Sequence, residues 1–287
     1  MKTNSDDYLH SATVHMFLED FSNGIIPYGH RPSGTFVVKP RNEAFEKIMR
    51  DVLHSERYSR YGLQDSIIDF ARKVSYSLVR YGIAIFRMIS FGDELKLIYL
   101  ENGRVRLKRN SVHYIMDNGT EEEYNIKECV VFDMPPEVGS YKKYNSFLRN
   151  LSFLNTEQVG SMGLLQMQGQ LQHYDFTMHQ MILEDESWKL TRYIGYHHRS
   201  YLGYHNRSFE FYRYSRCLRF KKTQLHVRNQ IYRCLQEMFV KAANLTGVNC
   251  ELEMQTVDPL KIIDHLENEW NNGRLSFKSL IRISLEL

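Results

Sequence analysis

The spacing of apolar residues changes at Gly82, and this change restricts the chain to folds that combine helices with antiparallel strands. Before it, residues 63–80 carry apolar side chains at the spacing of one helix face, and Gly82 suits the left-handed position that ends a helix. After it, IAIFRMISF (83–91) and ELKLIYL (94–100) are rich in β-branched and aromatic residues, and the second stretch alternates apolar and polar positions. The sequence therefore predicts a helix that leads directly into strands.

Two Asn-Gly pairs predict hairpin turns in the region that follows. Both residues tolerate positive φ, which the tight turns between antiparallel strands require. We expect Asn102-Gly103 to join the strand at 94–100 to the next one, and Asn118-Gly119 to lie in a second hairpin. The further strands are predicted at RVRLKR (104–109), VHYIM (112–116) and CVVFDM (129–134). The predicted fold class is α+β, an antiparallel β meander with flanking helices.

Shorter elements are expected on either side of the meander. NEAFEKIMRDVL (42–53) is amphipathic and has Asn42 as a suitable N-cap, whereas residues 1–40 have the turn-rich pattern of an irregular segment. Near the end of the chain, VNCELEM (248–254) predicts a strand. Two helices are predicted to follow this strand. The first is expected to begin at Asp258-Pro259 and to end at Gly273, and Ser276 is expected to cap the second.

Two long helices separated by a short β-rich hairpin are predicted between these regions. The first helix is expected to begin at Thr156, and the second to be capped by Thr223 and ended by Gly247. Between them, FEFYRY (209–214) alternates like a strand. The predicted domains are an irregular segment at 1–40, helices plus antiparallel sheet at 41–136, the helix–hairpin–helix excursion at 137–247, and a strand with C-terminal helices at 248–287.

Length and composition exclude some classes of protein. With 287 residues, the chain is long enough to bury a substantial core. No apolar run approaches the roughly 20 residues of a membrane-spanning helix, and MKTNSDDYLH lacks the hydrophobic core of a signal peptide. The four cysteines form no C-x-x-C pair and are expected to be reduced thiols. These features predict a cytoplasmic protein that is not secreted and has no membrane partner.

The most basic part of the chain is also rich in aromatic residues: residues 192–222, the basic aromatic segment. Eight Lys/Arg against Glu210 give it a net charge of +7, which leaves −4 for the rest of a chain whose net charge is +3. Its cations suit phosphates and its tyrosines suit stacking on bases, but Tyr and Arg are also enriched at protein–protein interfaces. Contact with nucleic acid, contact with another subunit, and a merely solvated hairpin tip therefore stay open. The candidate contact residues are Arg192, Tyr196, Arg199, Tyr204, Arg207, Tyr212, Arg213, Tyr214, Arg216, Arg219, Lys221 and Lys222.

The sequence contains no recognisable catalytic motif. Its best metal-ligand candidates, His173 and His179, are six residues apart, which puts them on different sides of a helix rather than at the i, i+4 spacing of a zinc helix. No phosphate-binding glycine loop and no nucleophile elbow occurs. We therefore expect no enzymatic activity, catalytic residue, metal or cofactor. An enzyme site built on His173, Asp175 and His179 is kept as an alternative.

Three short stretches stand at joints between the predicted elements: YGIAIF at 81–86, ECVVF at 128–132 and NGRLS at 272–276. These stretches, together with the order of the elements over residues 40–285, resemble the portal proteins of tailed bacteriophages. The resemblance implies that 41–136 is a wing-like region and that 137–247 contains stem helices and a clip hairpin. It also implies a homo-oligomeric ring in a virion, which passes or holds DNA, contacts other virion or assembly proteins and performs no catalysis.

Overall fold

The protein was analysed as a computed structural model, which describes residue 9 and residues 11–27, 36–53, 62–91, 94–153, 186–196, 207–255 and 258–287. The side chains of residues 12, 207–211 and 213 are outside this description. The predicted α+β class is confirmed, since helices are combined, within these residues, with three small antiparallel sheets. The predicted long helix that begins at Thr156 lies outside the described residues.

The chain folds as two compact units that interleave along the sequence. The first unit comprises residues 1–21, 137–226 and 259–287, and the second comprises residues 22–136 and 227–258. The four consecutive domains predicted from the sequence stay a prediction. The helices at residues 12–25 and 207–246 each contribute residues to both units.

Two helices within the second unit agree with the sequence patterns. Helix α2 spans Glu43–Leu53, and the Asn42 side-chain oxygen accepts a hydrogen bond from the Phe45 N–H at 3.0 Å, as expected of an N-cap. Helix α3 spans Leu63–Tyr81 and ends at Gly82, whose φ of 75° is the left-handed conformation predicted for it.

The predicted meander is divided between two three-stranded sheets. One has the order β3-β2-β7 and the other β4-β5-β6. The strands are β2 (Ile83–Phe91), β3 (Glu94–Leu100), β4 (Val105–Leu107), β5 (Ser111–Ile115), β6 (Glu121–Asn125) and β7 (Cys129–Asp133). The core that they share consists of Ile83, Ile85, Leu100, Val112, Tyr124 and Cys129.

One of the two predicted hairpins is confirmed and the other is wrong. Strands β5 and β6 pair around Asn118-Gly119, and Gly119 has the positive φ of 80° that this turn requires. Asn102-Gly103 does not join paired strands. Residues Asn102–Arg104 form a 3₁₀ turn, because the Asn102 amide donates to the Ile83 carbonyl at 2.8 Å and so holds the turn against β2.

The segment predicted to be irregular contains a helix and a strand. Helix α1 spans Ala12–Ile25 and buries Val14, Phe17, Phe21 and Ile25. Strand β1 (Phe36–Lys39) pairs with β8 (Glu251–Met254), which lies more than 200 residues later. A four-residue strand carries little periodicity of its own, so only this distant pairing identifies it.

The largest correction concerns the basic aromatic segment, part of which forms one continuous helix. Helix α4 spans Ser140–Phe153, and helix α5 spans Arg207–Thr246, so residues 209–214 are helical rather than a strand. Thr223 lies inside this helix and is not its cap: its hydroxyl donates to the Arg219 carbonyl at 2.9 Å, the i−4 bond of a helix-interior threonine. The predicted β-rich hairpin is therefore not formed over residues 209–214.

The C-terminal signals are confirmed. Helices α6 (Pro259–Asn271) and α7 (Phe277–Glu286) follow β8, and the Ser276 hydroxyl caps α7 by accepting from the Ser279 N–H at 3.1 Å. With residues of α5 they form a core of the first unit from Leu218, Leu225, Leu260, Ile263, Leu280 and Ile281. Among the helices that the structure describes, none combines the length and apolarity needed to cross a membrane.

Candidate nucleic-acid or subunit interface

The described residues of the basic aromatic segment form a turn and the beginning of α5, and both belong to the first unit. A short helical stretch at residues 186–191 leads into the turn, which bends at Gly195 with a φ of +84°. A Cβ added to Gly195 would lie 2.5 Å from the Phe220 backbone nitrogen. The turn therefore packs directly against the α5 backbone, and glycine is required at its closest point.

Among the described cations of the segment, Arg216 is the most enclosed, with only 4% of its surface exposed. Its guanidinium donates to the carbonyls of Trp188 at 3.0 Å and Tyr196 at 2.5 Å, and to the Thr191 hydroxyl at 2.7 Å. Its Cζ also lies 3.8 Å from the centre of the Trp188 ring, a cation–π contact. Arg216 thus connects the turn to α5. This structural role replaces the predicted contact of Arg216 with a phosphate or another subunit.

Tyr196 is likewise part of the interior. It is 2% exposed, its ring meets Phe17 edge-on at 5.0 Å, and it lies 5.4 Å from the Phe220 ring. The hydroxyl donates to the Asp20 carboxylate at 3.2 Å. This burial leaves no ring face for a nucleic-acid base, so the predicted stacking role of Tyr196 is corrected to a packing role.

Lys222 is paired within the first unit. Its ammonium contacts the carboxylates of Asp264 at 2.8 Å and Glu267 at 2.9 Å on α6. Burial lowers the pKa of Lys222, but the hydrogen bonds to these two carboxylates outweigh that effect and raise it above its ordinary value. The positive charge of this ammonium is therefore already balanced by two carboxylates. This pairing replaces the predicted contact of Lys222 with a phosphate or another subunit.

Four of the predicted contact residues are exposed: Arg192, Tyr212, Tyr214 and Arg219. Tyr212 is 53% exposed and Tyr214 is 43% exposed. Tyr212 and Arg219 are seven residues apart, so they lie on the same side of α5, separated by about 10 Å along its axis. Arg219 also donates to the Arg192 carbonyl at 3.1 Å, which holds its guanidinium near the turn.

The remaining predicted contact residues are either partly buried or outside the described side chains. Lys221 is half-buried. Arg199 and Tyr204 lie outside the described residues, as do the side chains of Arg207 and Arg213. The site that the structure brings together is therefore smaller than the predicted one.

The residues of the alternative enzyme site, His173, Asp175 and His179, also lie outside the described part of the chain. Within that part, no cluster of three or more His, Cys, Asp or Glu side chains has an arrangement suited to a metal ion.

Comparison with known proteins gives a likeness of fold. No protein-family model matches the sequence, and no curated protein matches it. Sixteen chains of solved structures match. One is a chain of the structure described as "Virion of native gene transfer agent (GTA) particle", with a TM-score of 0.53 and 10% identity; the match covers 99% of this chain and 94% of that chain. At this identity the likeness is one of fold, and it extends over almost the whole length of both chains.

Proposed function

We propose that this chain is a portal-like structural protein of a virion or virion-derived particle, in which copies form a ring that holds or passes DNA. One observation carries the proposal: the fold is shared over 99% of the chain with a chain of a gene transfer agent virion. The resemblance to portal proteins, which the sequence shows in three short stretches and in the order of its predicted elements, favours the same class. Other virion or assembly proteins are the expected partners, and no catalytic step is assigned to the chain.

The exposed residues of the basic aromatic segment are the proposed contact with DNA. Tyr212 offers an exposed ring and Arg219 an exposed cation on the same side of α5, the combination that binds single strands or phosphate backbones. The same residues also suit a subunit contact, because Tyr and Arg are enriched at such interfaces. Measurements of DNA affinity and of assembly separate these two uses.

The ring is tested by native mass spectrometry and negative-stain electron microscopy of the purified full chain. The expected result is a closed ring with one dominant copy number. A strict monomer at every protein concentration would overturn the ring. A monomer that nevertheless binds DNA would favour a nucleic-acid-binding module instead.

The DNA contact is tested with the variant Tyr212→Ala/Arg219→Ala. Wild-type affinity should fall steeply with salt, whereas the variant should bind more weakly, with a salt slope smaller by about one unit for the lost phosphate contact. Arg41→Ala, which removes an exposed cation outside the segment, is the matched control. Unchanged affinity and slope in the double variant would remove this segment as the DNA site. Arg216 is unsuitable for this test, because its loss is expected to disturb the fold.

A further inference from the structure

The β4-β5-β6 sheet has edges of opposite charge. On one edge, β4 and the residue after it carry the exposed side chains of Arg106 and Lys108. On the other edge, β6 begins with the exposed residues Glu121, Glu122 and Glu123. Among the described residues, β4 and β6 each pair only with β5. The sheet therefore has one basic edge and one acidic edge, which lie about 10 Å apart.

Four of these charged side chains share one face of the sheet. Arg106 lies opposite His113, and His113 lies opposite Glu123, so the three form a row across the strands. Lys108 and Glu121 lie two residues from this row in their own strands and therefore point to the same side. The opposite face carries Val112 and Tyr124, which are buried in the core shared with the other sheet.

Both edges present unpaired positions of the strand ladder. The Lys108 N–H donates to the Ser111 carbonyl at 2.9 Å, and the Met116 N–H donates to the Thr120 carbonyl at 2.8 Å. Because backbone groups alternate in direction along antiparallel strands, the outward groups belong to Val105 and Leu107 on β4. The Val105 N–H already donates to the Asn102 carbonyl, which leaves the Leu107 N–H as the outward donor of this strand. On β6 the outward groups belong to Glu121 and Glu123. Each edge can thus accept a further strand.

Two glutamates of the acidic edge are held in place by His113. Glu121 lies 2.8 Å from His113 Nδ1, and Glu123 lies 3.2 Å from His113 Nε2. A hydrogen bond with Ser111, followed by the nearby His113, holds the pKa of Glu123 below its ordinary value. The side chains of Glu121 and Glu123 nevertheless remain 49% and 62% exposed, so they can also contact a cation from outside.

These features favour one way of joining two copies. Two β6 edges would place glutamates opposite glutamates, and two β4 edges would place cations opposite cations, both of which are unfavourable. Only β6 against β4 pairs opposite charges, and it would continue the row of Arg106, His113 and Glu123 from one copy into the next. A contact between different patches of identical chains is head-to-tail, and such a contact generates a ring when it closes.

We propose that the acidic β6 edge of one copy docks on the basic β4 edge of a second copy and sets the head-to-tail direction of assembly. The proposal deepens the ring proposed above and depends on it for closure, although an open filament would use the same two edges. The simpler role of the charges is to protect each edge from any pairing, and the test below discriminates between the two.

The test uses charge reversal on each edge. Arg106→Glu/Lys108→Glu makes both edges acidic, and Glu121→Lys/Glu123→Lys makes both edges basic. Each variant alone should associate at least about tenfold more weakly than wild type at low salt, and the difference should shrink as salt is added. An equimolar mixture of the two variants should associate again, because every contact then joins an acidic edge to a basic edge. A chain that carries all four substitutions should also assemble, because its β4 edge is then acidic and its β6 edge basic.

Sedimentation velocity measures assembly, and circular dichroism verifies that each variant is folded. Arg41→Glu/Lys47→Glu is the matched control, because it changes the charge equally at exposed positions near the start of α2 and should assemble like wild type. If Glu121→Lys/Glu123→Lys fails to fold, Glu121→Gln/Glu123→Gln replaces it, since glutamine keeps a hydrogen-bonding group near His113 without the charge. The expected result for the glutamine variant is weakened association.

The outcomes separate this proposal from the proposed function. If wild type forms rings and all edge variants form them equally well, the edge contact is overturned and the ring stands. If wild type forms open filaments that the single-edge variants lose, the ring is overturned and the edge contact stands. Failure of the mixture to associate, with both variants folded, would also overturn the edge contact. A wild type that is monomeric at every concentration overturns both.

Discussion

Replacing Arg216 with methionine should destabilise the first unit by about 3–5 kcal/mol. The guanidinium makes three hydrogen bonds, to two carbonyls and one hydroxyl, and is 4% exposed. Hydrogen bonds from a charged donor contribute about 1.5–3 kcal/mol each, and the buried acceptors of the turn would lose their partner. Burial of the apolar methionine chain and relief of the desolvation of the cation offset part of this loss, which gives the intermediate figure.

Urea denaturation followed by tryptophan fluorescence measures this effect in the relevant unit. The chain has two tryptophans, Trp188 and Trp270, and both belong to the same compact unit as Arg216. With an m value of about 2 kcal/mol/M, the expected loss moves the midpoint by about 2 M urea. Trp188 lies against the guanidinium, so its native emission should change as well.

Arg219→Met is the matched control, three residues further along α5. Arg219 is exposed and donates to the Arg192 carbonyl. Its loss should therefore cost less than about 1 kcal/mol. Equal midpoints for the Arg216 and Arg219 variants would refute the structural role of Arg216 and return it to the list of candidate DNA contacts.

Two further predictions concern buried positions. Gly195→Ala should cost more than about 3 kcal/mol, because its φ is +84° and the new Cβ would meet the Phe220 backbone. Gly247→Ala, at a φ of +69° with open space around it, should cost about 1–2 kcal/mol, and equal thermal stability of the two variants would contradict the clash. Burial raises the pKa of the Cys234 thiol to about 12 from an ordinary value of 9.0. In a variant that keeps only this cysteine, the native thiol should therefore resist a disulfide reagent near neutral pH and react after unfolding. The free energy of unfolding should also fall as pH rises above about 9, where the unfolded thiol ionises. Rapid labelling of Cys234 in the native protein would contradict its buried environment.

Several elements could be predicted from sequence because each depends on a few neighbouring residues. Asn42 caps α2 with its own side chain, and Gly82 ends α3 in a conformation that suits glycine. Gly119 likewise permits the turn between β5 and β6. The strand β6 was not predicted, because EEEYN lacks apolar alternation and only Tyr124 reaches the core. Its pairing with β5 is what makes it a strand.

The candidate site shows which features of a site local sequence patterns can predict and which they cannot. The segment was correctly recognised as unusual, but FEFYRY fits a strand and a helix equally well over six residues. Neither the enclosure of Arg216 nor the pairing of Lys222 with two carboxylates has a local sign, because their partners are distant in the chain. Arg216 and Arg219 look alike in sequence, and only the position of the turn distinguishes them.

The sequence by itself determined the class of fold, the ends of several helices and the concentration of positive charge in one segment. These properties follow from side-chain shape, backbone preference and spacing over a few residues. The tertiary structure decided which strands pair, where the long helix begins, and which cations stay exposed. Such choices depend on contacts between residues far apart in the chain, whose free energies arise only when the whole core is assembled.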